Sequence, residues 1–465
     1  MVPDTNTGEY TGLDERLRGE LVRPGDDGFE ESVKIWNAAT QSEPAAIAQS
    51  AGVADVIEVV DFARNSGIDL AVKAGGHMTT GDAVVADGLA LDLSPMNGVR
   101  VNKHDGTVRV EGGATWEAVN HEALAHGLVP SGIPETVGVG GFTVGGGMGV
   151  TCRKYGLACD TLREVDIVTA DGELLTASED TNEDLFWAIR GGGGNFGVIT
   201  SFEYDCIEAS RECLVANLLY PIDDAAEYLR YFRETVPEMP ETTLPIFSLL
   251  TVPEVPDLPE KLHGELAVSA YVMGVGDRDG LSEAMESFAA FGDPHVEAIY
   301  PADYTELYDP FAVPTGQRHH WESVYLDGIS DEFVEALIDE GLPMPRPQTG
   351  VSIYTLGGQI NRVPVDATAY PHRDAEYLLH ITTHWTDPTM DEECQDWTRE
   401  LHTSLREYGT GGEYVNNQTD GDGARVRAAY ADNFDRLAEL KAEWDPENVF
   451  DSTQNVEPVR YQSRD

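Results

Sequence analysis

Seven of the twelve residues from Gly138 to Gly149 (Gly-Val-Gly-Gly-Phe-Thr-Val-Gly-Gly-Gly-Met-Gly) are glycine. Each glycine inside a helix or strand costs about 0.5–1 kcal/mol against alanine, so a packed element is not expected there. Such a run makes sense where backbone must approach something closely, and N–H groups facing one way form an anion-binding concavity. The theme recurs upstream in Lys73-Ala74-Gly75-Gly76-His77 and downstream in Arg190-Gly191-Gly192-Gly193-Gly194-Asn195-Phe196-Gly197. Three glycine-rich turns between apolar, strand-like segments point to one large, flat, phosphate-bearing cofactor.

The surrounding elements must hold those turns. Ala45–Gln49 reads as a strand, Val53–Ala63 as a helix ending at Gly67, and Leu70–Lys73 as a second strand. This βαβ unit delivers the first glycine turn at the carboxyl end of a strand, where open α/β sheets place ligands. Short strands are expected at Leu89–Leu93, Val99–Val101 and Thr107–Val110, then a helix from Thr115 to His126 capped by Thr115 and stopped by Gly127. Asp171-Gly172 reads as a hairpin turn, and Asp184–Arg190 as a short helix feeding the third glycine turn. Val198–Tyr204 closes the region as a strand. After about residue 207 helices (Asp223–Glu234, Gly280–Phe291, Asp391–Tyr408, Asp432–Trp444) alternate with strands (Leu266–Val272, Val351–Leu356, Tyr377–Trp385), and Val252–Pro259 and Pro343–Pro347 read as loops.

With 465 residues the chain can hold two or three domain-sized units. The 30 Lys+Arg stand against 83 Asp+Glu, a net charge of −53. The carboxylates are scattered through periodic apolar segments, which describes a folded protein with an acidic, hydrated shell suited to a salt-rich cytoplasm. No basic stripe exists to release counterions, so nucleic acid is not an expected partner. No apolar stretch reaches the roughly 20 residues that span a bilayer, and the first residues lack a signal-like pattern, so a soluble, cytoplasmic protein is expected. Cys152, Cys159, Cys206, Cys213 and Cys394 form no zinc-type spacing; reduced, inert thiols and no metal site are expected.

Taken together, Gly75-Gly76-His77, Thr136–Gly141, Lys154–Asp160, Asp184–Gly191, Thr368–Arg373, Tyr414-Val415-Asn416 and Asn433–Phe450 resemble the berberine-bridge-enzyme-like branch of the vanillyl-alcohol-oxidase/p-cresol-methylhydroxylase flavoproteins, and within it the bacterial 6-hydroxynicotine oxidase type. The resemblance runs through residues 30–460 in family order. It implies an α+β fold: a two-subdomain FAD-binding domain of the p-cresol-methylhydroxylase type, with an inserted substrate domain whose antiparallel sheet is backed by helices. The expected partition is 30–206 for the first part of the FAD domain, 207–412 for the substrate domain and 413–465 for a segment returning to the FAD domain.

The same resemblance implies FAD as cofactor, held by Lys73, Ala74, Gly75, Gly76, His77, Thr136, Val137, Gly138, Gly140, Gly141, Gly145, Gly146, Gly149, Asp160, Gly197, Val198, Tyr414 and Asn416. His77 stands where the family joins the flavin 8α-methyl to an imidazole, and a neutral imidazole is the nucleophile this needs. Lys73 stands where many relatives have arginine. Pro134 aligns with the cysteine that makes a second link in other members, which leaves one covalent bond; Cys152 and Cys159 lie beyond that position. Tyr414 and Asn416 match a Tyr-x-Asn element beside the isoalloxazine, while Asn417 replaces the tyrosine that often follows.

Within Tyr377–Trp385, period-2 alternation puts Leu378, His380, Thr382 and His384 on one face. His380 falls where relatives place a polar catalytic residue and, like Tyr414, is a candidate base; packing is the alternative for each, with Tyr354 or Gln359 next in line. For His384 packing is favoured, and His319 and His320 have no pattern support. The implied activity is hydride transfer from a small alcohol, sugar or amine to FAD. O₂ is the expected acceptor because Val137 leaves room at the family's oxygen-gating position. A quinone-type dehydrogenase and a flavin-binding protein without turnover are the alternatives.

From the charge alone, the melting temperature should rise between about 0.1 M and molar KCl, where the Debye length falls from about 10 to 3 Å. An unchanged melting temperature would rule out salt-dependent folding.

Overall fold

The computed structural model describes residues 10–459 apart from 134, 257, 309–314, 343, 346–347 and 422. Pro134, with the single-bond argument that rests on it, and parts of the loops 252–259 and 343–347 therefore lie outside the described residues.

Four short strands, β1 (Glu20–Val22), β2 (Ala46–Gln49), β3 (Leu70–Lys73) and β4 (Leu89–Asp92), form a sheet ordered β1-β2-β4-β3. β2 and β3 are parallel as the sequence reading requires, but each pairs with β4, which lies between them. The crossover helix Val53–Ser66 buries Val56, Val59, Val60 and Ala63 at helical spacing. It ends at Gly67, whose φ of +68° places its N–H on the Ala63 carbonyl.

A second sheet is wholly antiparallel. Its order is β5 (Val99–Asn102), β6 (Thr107–Glu111), β10 (Val198–Asp205), β8 (Leu162–Val168), β9 (Leu174–Ser178). The β8–β9 hairpin turns at Asp171-Gly172, where Thr169 N–H donates to Glu173 O at 3.0 Å. The helix Trp116–Leu124 is capped by Thr115, whose hydroxyl accepts from Ala118 N–H. A ribbon of β7 (Leu128–Val129) and β11 (Ile207–Glu208) lies at the passage from this sheet to the third.

The third sheet has seven antiparallel strands: β12 (Glu212–Pro221), β13 (Thr243–Thr251), β14 (Leu266–Gly274), β15 (Val296–Asp303), β16 (Arg318–Leu326), β17 (Gln348–Thr355) and β18 (Tyr377–Trp385). Their order is β15-β12-β14-β13-β17-β18-β16. Helices Ala225–Thr235, Arg278–Phe288, Asp331–Gly341 and Asp391–Leu405 back one face. There Phe247 and Leu249 of β13, Val351 and Ile353 of β17, Val324 and Leu326 of β16, and Leu379 and Ile381 of β18 pack with Leu229, Phe232, Phe288, Leu337 and Leu401. Strand alternation sends the opposite set, Ser248, Ser352, Tyr354, Trp321, Leu378, His380, Thr382 and His384, to the other face. No helix among the described residues is long and apolar enough to cross a membrane.

The glycine run corrects one expectation: Val139–Val144 is a short helix. It forms despite its glycines because Val139 and Thr143 are buried, and the Thr143 hydroxyl bonds the Tyr204 hydroxyl at 2.7 Å. Gly140 lets this helix lie 3.4 Å from the Ala74 methyl, measured from where a Cβ would stand.

The helix Phe434–Trp444 is tied back by a buried cation. Lys441 Nζ donates to Asp445 Oδ2 at 2.7 Å and to the carbonyls of Asn195 and Phe450, each at 2.8 Å. Both charged side chains are fully buried. Lys441→Met would strand the Asp445 carboxylate, so it should cost roughly 3–5 kcal/mol. Arg427→Met, which removes an exposed pair with Asp435, should cost about 1 kcal/mol or less. Urea midpoints of the two variants decide; equal losses would refute a buried lock.

Candidate functional site

The open face of the third sheet looks across a cleft at the glycine segments. The cleft has a volume of about 1810 Å³. A pocket for one small ligand is typically about 300–1,000 Å³, so this space admits a large cofactor and a substrate together. A smaller cavity of about 180 Å³ adjoins it, with Ala74, Gly141 and Asn416 on both walls and Gly140, Gly197 and Val198 farther in.

Two of the glycine segments meet here backbone to backbone. A Cβ on Gly75 would stand 2.4 Å from Gly138 N, and one on Gly138 would stand 2.4 Å from Gly75 N. Neither position tolerates a side chain without separating the two segments. At Gly141, by contrast, a Cβ would meet nothing within 4 Å, so this glycine leaves open space toward both cavities. A continuous glycine-walled trough of this kind fits an extended dinucleotide.

Not every predicted contact lines that trough. Ala74, Gly75, Gly76, His77, Thr136, Val137 and Gly138 do. Lys73 turns its ammonium instead to the Ser32 carbonyl at 2.6 Å and to Asp92 at 3.7 Å, because burial of Asp92 demands a counter-charge. Gly145 packs on the Asn416 side chain, Gly146 on the Tyr370 ring and Gly149 on the Gly132 carbonyl, each too close for a Cβ. Asp160 is buried in a two-pronged pair with Arg373 at 2.8 and 2.6 Å. These four stand one layer behind the wall and hold it.

His77 faces the cleft, with Nε2 3.3 Å from the Thr136 hydroxyl. Burial lowers its pKa to about 4, so the imidazole is neutral, as a nucleophile must be. Its ring lies near-parallel to that of Trp36, with centroids 5.4 Å apart.

His380 lies on the facing wall, in register with Ser323 of β16 and Ser352 of β17. Its ring meets the edge of Trp321 at 4.9 Å, and among the described residues Nε2 has no hydrogen-bond partner. Burial lowers its pKa to about 3. Tyr414 is also on the wall, but its hydroxyl already accepts from Gly147 N–H at 3.1 Å and Asn416 Nδ2 at 3.0 Å. Burial raises its pKa well beyond that of a free phenol. Asn416 Nδ2 also donates to Phe142 O, fixing this segment on the helix Val139–Val144. Asn417 and Tyr354 face the cleft, whereas Gln359 does not. Cys152 reaches the wall as a thiol that burial pushes up to about 12; Cys159 is buried and likewise raised.

The sequence reading had no place for Trp36, Trp321 or His319. His319 is 1% exposed and stacks on Trp36 at 3.6 Å between centroids. No sequence pattern marks a contact between such distant parts of the chain. His384 faces the cleft from the end of β18, with a pKa lowered to about 4 by burial.

The glycine-walled trough and its facing sheet match known proteins. The family described as FAD binding domain matches residues 44–178, and that described as berberine and berberine like matches residues 413–457. The chain carries both of these family domains, and it is an FAD-dependent oxidoreductase. The (R)-6-hydroxynicotine oxidase of Paenarthrobacter nicotinovorans is 27% identical over 95% of this chain and 97% of its own length. The solved structure of 6-hydroxy-D-nicotine oxidase from Arthrobacter nicotinovorans superposes with a TM-score of 0.84 at 26% identity, covering 95% and 98% of the two chains. A glucooligosaccharide oxidase of Acremonium strictum, described with a 6-S-cysteinyl, 8α-N1-histidyl FAD, shares the fold at 23% identity and a TM-score of 0.81, over 95% and 98% of the two chains.

The neutral histidines carry a pH dependence. His319, His380 and His384 are held to about 3, 3 and 4 by burial, first among the causes, whereas an unfolded histidine titrates near 6.5. Between pH 6.5 and about 4 the unfolded chain therefore binds protons that the folded chain refuses, and stability falls as pH drops. Above pH 5 the unfolded carboxylates are largely ionised and add little to this slope. Urea midpoints at pH 7.5 and 5.5 in constant salt should fall toward the acid side. A midpoint that rises instead would mean that these rings do not set the slope.

Proposed function

We propose that this FAD-dependent oxidoreductase is an oxidase acting on a small neutral or cationic alcohol, sugar or amine, with FAD joined to His77. The observation that carries this reading is the juxtaposition across one cleft of His77 with the unpartnered Nε2 of His380. In this reading residues 30–206 and 413–465 hold the cofactor and 207–412 present the substrate. Bound FAD supplies the acceptor for a substrate hydride. The histidyl FAD described for the glucooligosaccharide oxidase supports attachment at His77.

His380 offers a free acceptor nitrogen, and it accepts the hydroxyl or amine proton as the hydride leaves the adjacent carbon. Tyr414 is the weaker candidate, since its oxygen is engaged twice and its proton is held by burial. Tyr414 and Asn416 instead orient the ring system against the helix Val139–Val144. The cleft wall also sorts substrates by charge. Among the described residues Glu117, Glu122, Glu135 and Asp82 stand on it against one Lys or Arg, Arg211, which is paired with Asp303 at 2.6 Å. Substrates that carry a carboxylate or phosphate are disfavoured beside these acidic residues; hydroxyl-bearing substrates find Ser248, Ser352, Thr382 and Asn217. Val137 on the same wall leaves O₂ a path to the ring. The net charge of −53 supports work in a salt-rich medium.

A panel of alcohols, sugars, amines and their acid analogues tests the reading by anaerobic flavin bleaching and by H₂O₂ release in air. Neutral or cationic members should bleach the flavin, and acids should not. His380→Ala should slow reduction roughly 10²–10⁴-fold with flavin content unchanged, and Tyr414→Phe far less. A loss under tenfold in His380→Ala removes this histidine from the proton step. If dithionite-reduced protein stays colourless in air for minutes, the acceptor is not O₂.

A further inference from the structure

Trp36 and Asn37 lie in a loop far from the glycine turns in sequence, yet they connect both walls of the cleft. Trp36 N–H donates to the Gly76 carbonyl at 2.9 Å, and its indole stacks on both His77 and His319. The indole plane is within 18° and 9° of those two imidazoles. Asn37 is fully buried. Its Nδ2 donates to Thr79 O at 2.7 Å and His319 O at 3.0 Å, while its Oδ1 accepts from His319 N and Ala39 N, both at 2.9 Å. Two donors and two lone pairs exhaust what an amide can offer. The loop thus grips residues 76–79 with one hand and β16 with the other. Gln317 O accepts from Ala38 N–H, extending the contact along the strand edge.

From this geometry we infer that Trp36 is a positioning residue for flavin attachment: it sets the plane of the His77 imidazole toward the flavin methyl carbon, and Asn37 holds the indole in place. The inference rests on the reading of His77 as the attachment residue. Forming that link would make one C–N bond and break one methyl C–H bond and the imidazole N–H bond; both protons would leave to solvent, and the electron pair of the C–H bond would reduce the ring system until O₂ removed it. The chain's part is orientation. Among the described residues His77 has a single side-chain hydrogen-bond contact, a long one to Thr136, so the stacked indole is the main restraint on rotation about its Cβ–Cγ bond. An imidazole turned out of plane spends less time aligned for attack, and misalignment of this kind is costly in rate.

The test compares total and covalent flavin in purified holoprotein. Total flavin is read from absorbance per chain; covalent flavin is the part retained after acid precipitation. Trp36→Leu should keep total flavin within twofold of wild type while its covalent fraction falls at least tenfold, and Trp36→Phe, which keeps a stacking ring, should restore it. A wild-type covalent fraction in Trp36→Leu overturns the inference. If Trp36→Leu does not fold, Trp36→Met, which keeps bulk without a ring, is read by the same two outcomes. Wild-type protein that loses all its flavin on precipitation would defeat the His77 reading, and this inference with it; equal covalent fractions in wild type and variants defeat the positioning role alone.

Discussion

Contact between two backbones, at Gly75 and Gly138, sets the spacing on which the rest of the site depends. With Cβ positions 2.4 Å from the facing nitrogen on either side, the loop bearing His77 and the helix Val139–Val144 stand as close as main chains allow. The other segments that reach the trough are fastened to that six-residue helix. The Val144 carbonyl accepts from both Gly191 and Gly193 N–H at 3.0 Å, which brings in the third glycine turn. The Phe142 carbonyl accepts from Asn416, which brings in the segment around Tyr414. A side chain at either glycine would separate His77 from all of these at once.

A second constraint is electrical. The surface is so acidic that a buried cation near it would be favoured, yet His319, His380 and His384 are all held neutral. Desolvation outweighs the long-range field because water and salt screen scattered surface carboxylates over about 8–10 Å, whereas burial acts directly on the ring. The cleft therefore keeps uncharged imidazoles inside a strongly anionic protein. Several buried charges are paired: Lys441 with Asp445, Arg373 with Asp160, and Arg425 with both Glu322 and Glu413.

Much of this was legible in the sequence, for local reasons. Three glycine-rich turns, the cap at Thr115, the stop at Gly67 and the alternation of Leu378–His384 all depend on residues within a few positions of one another. The helix inside the glycine run was not legible, because its stability comes from Thr143 meeting Tyr204 and not from propensity. The strands Thr243–Thr251 and Arg318–Leu326 also escaped notice. The first is buried along nearly its whole length, so it shows no period; the second carries Arg, two His, Trp and Glu in succession and looks like surface. Lys73 reads as a cofactor contact because it adjoins the Gly75-Gly76-His77 turn, but Asp92, a parallel partner in register on β4, claims its charge.

The same distinction explains where the site's least expected parts come from. β16 is the edge strand of the third sheet, and an uncovered edge would leave a row of main-chain groups unpaired beside the cleft. Segments from opposite ends of the chain close it: Ala38 N–H donates to Gln317 O on one side, and Thr419 N–H donates to Trp321 O farther along. Tyr414 N–H reaches the Ser323 hydroxyl on the same strand. Covering that edge obliges residues near 37 and near 414 to lie against the cleft, so Trp36 and Tyr414 arrive at the site as a consequence of satisfying a sheet. Chemistry then acts on side chains that backbone hydrogen bonding had already delivered.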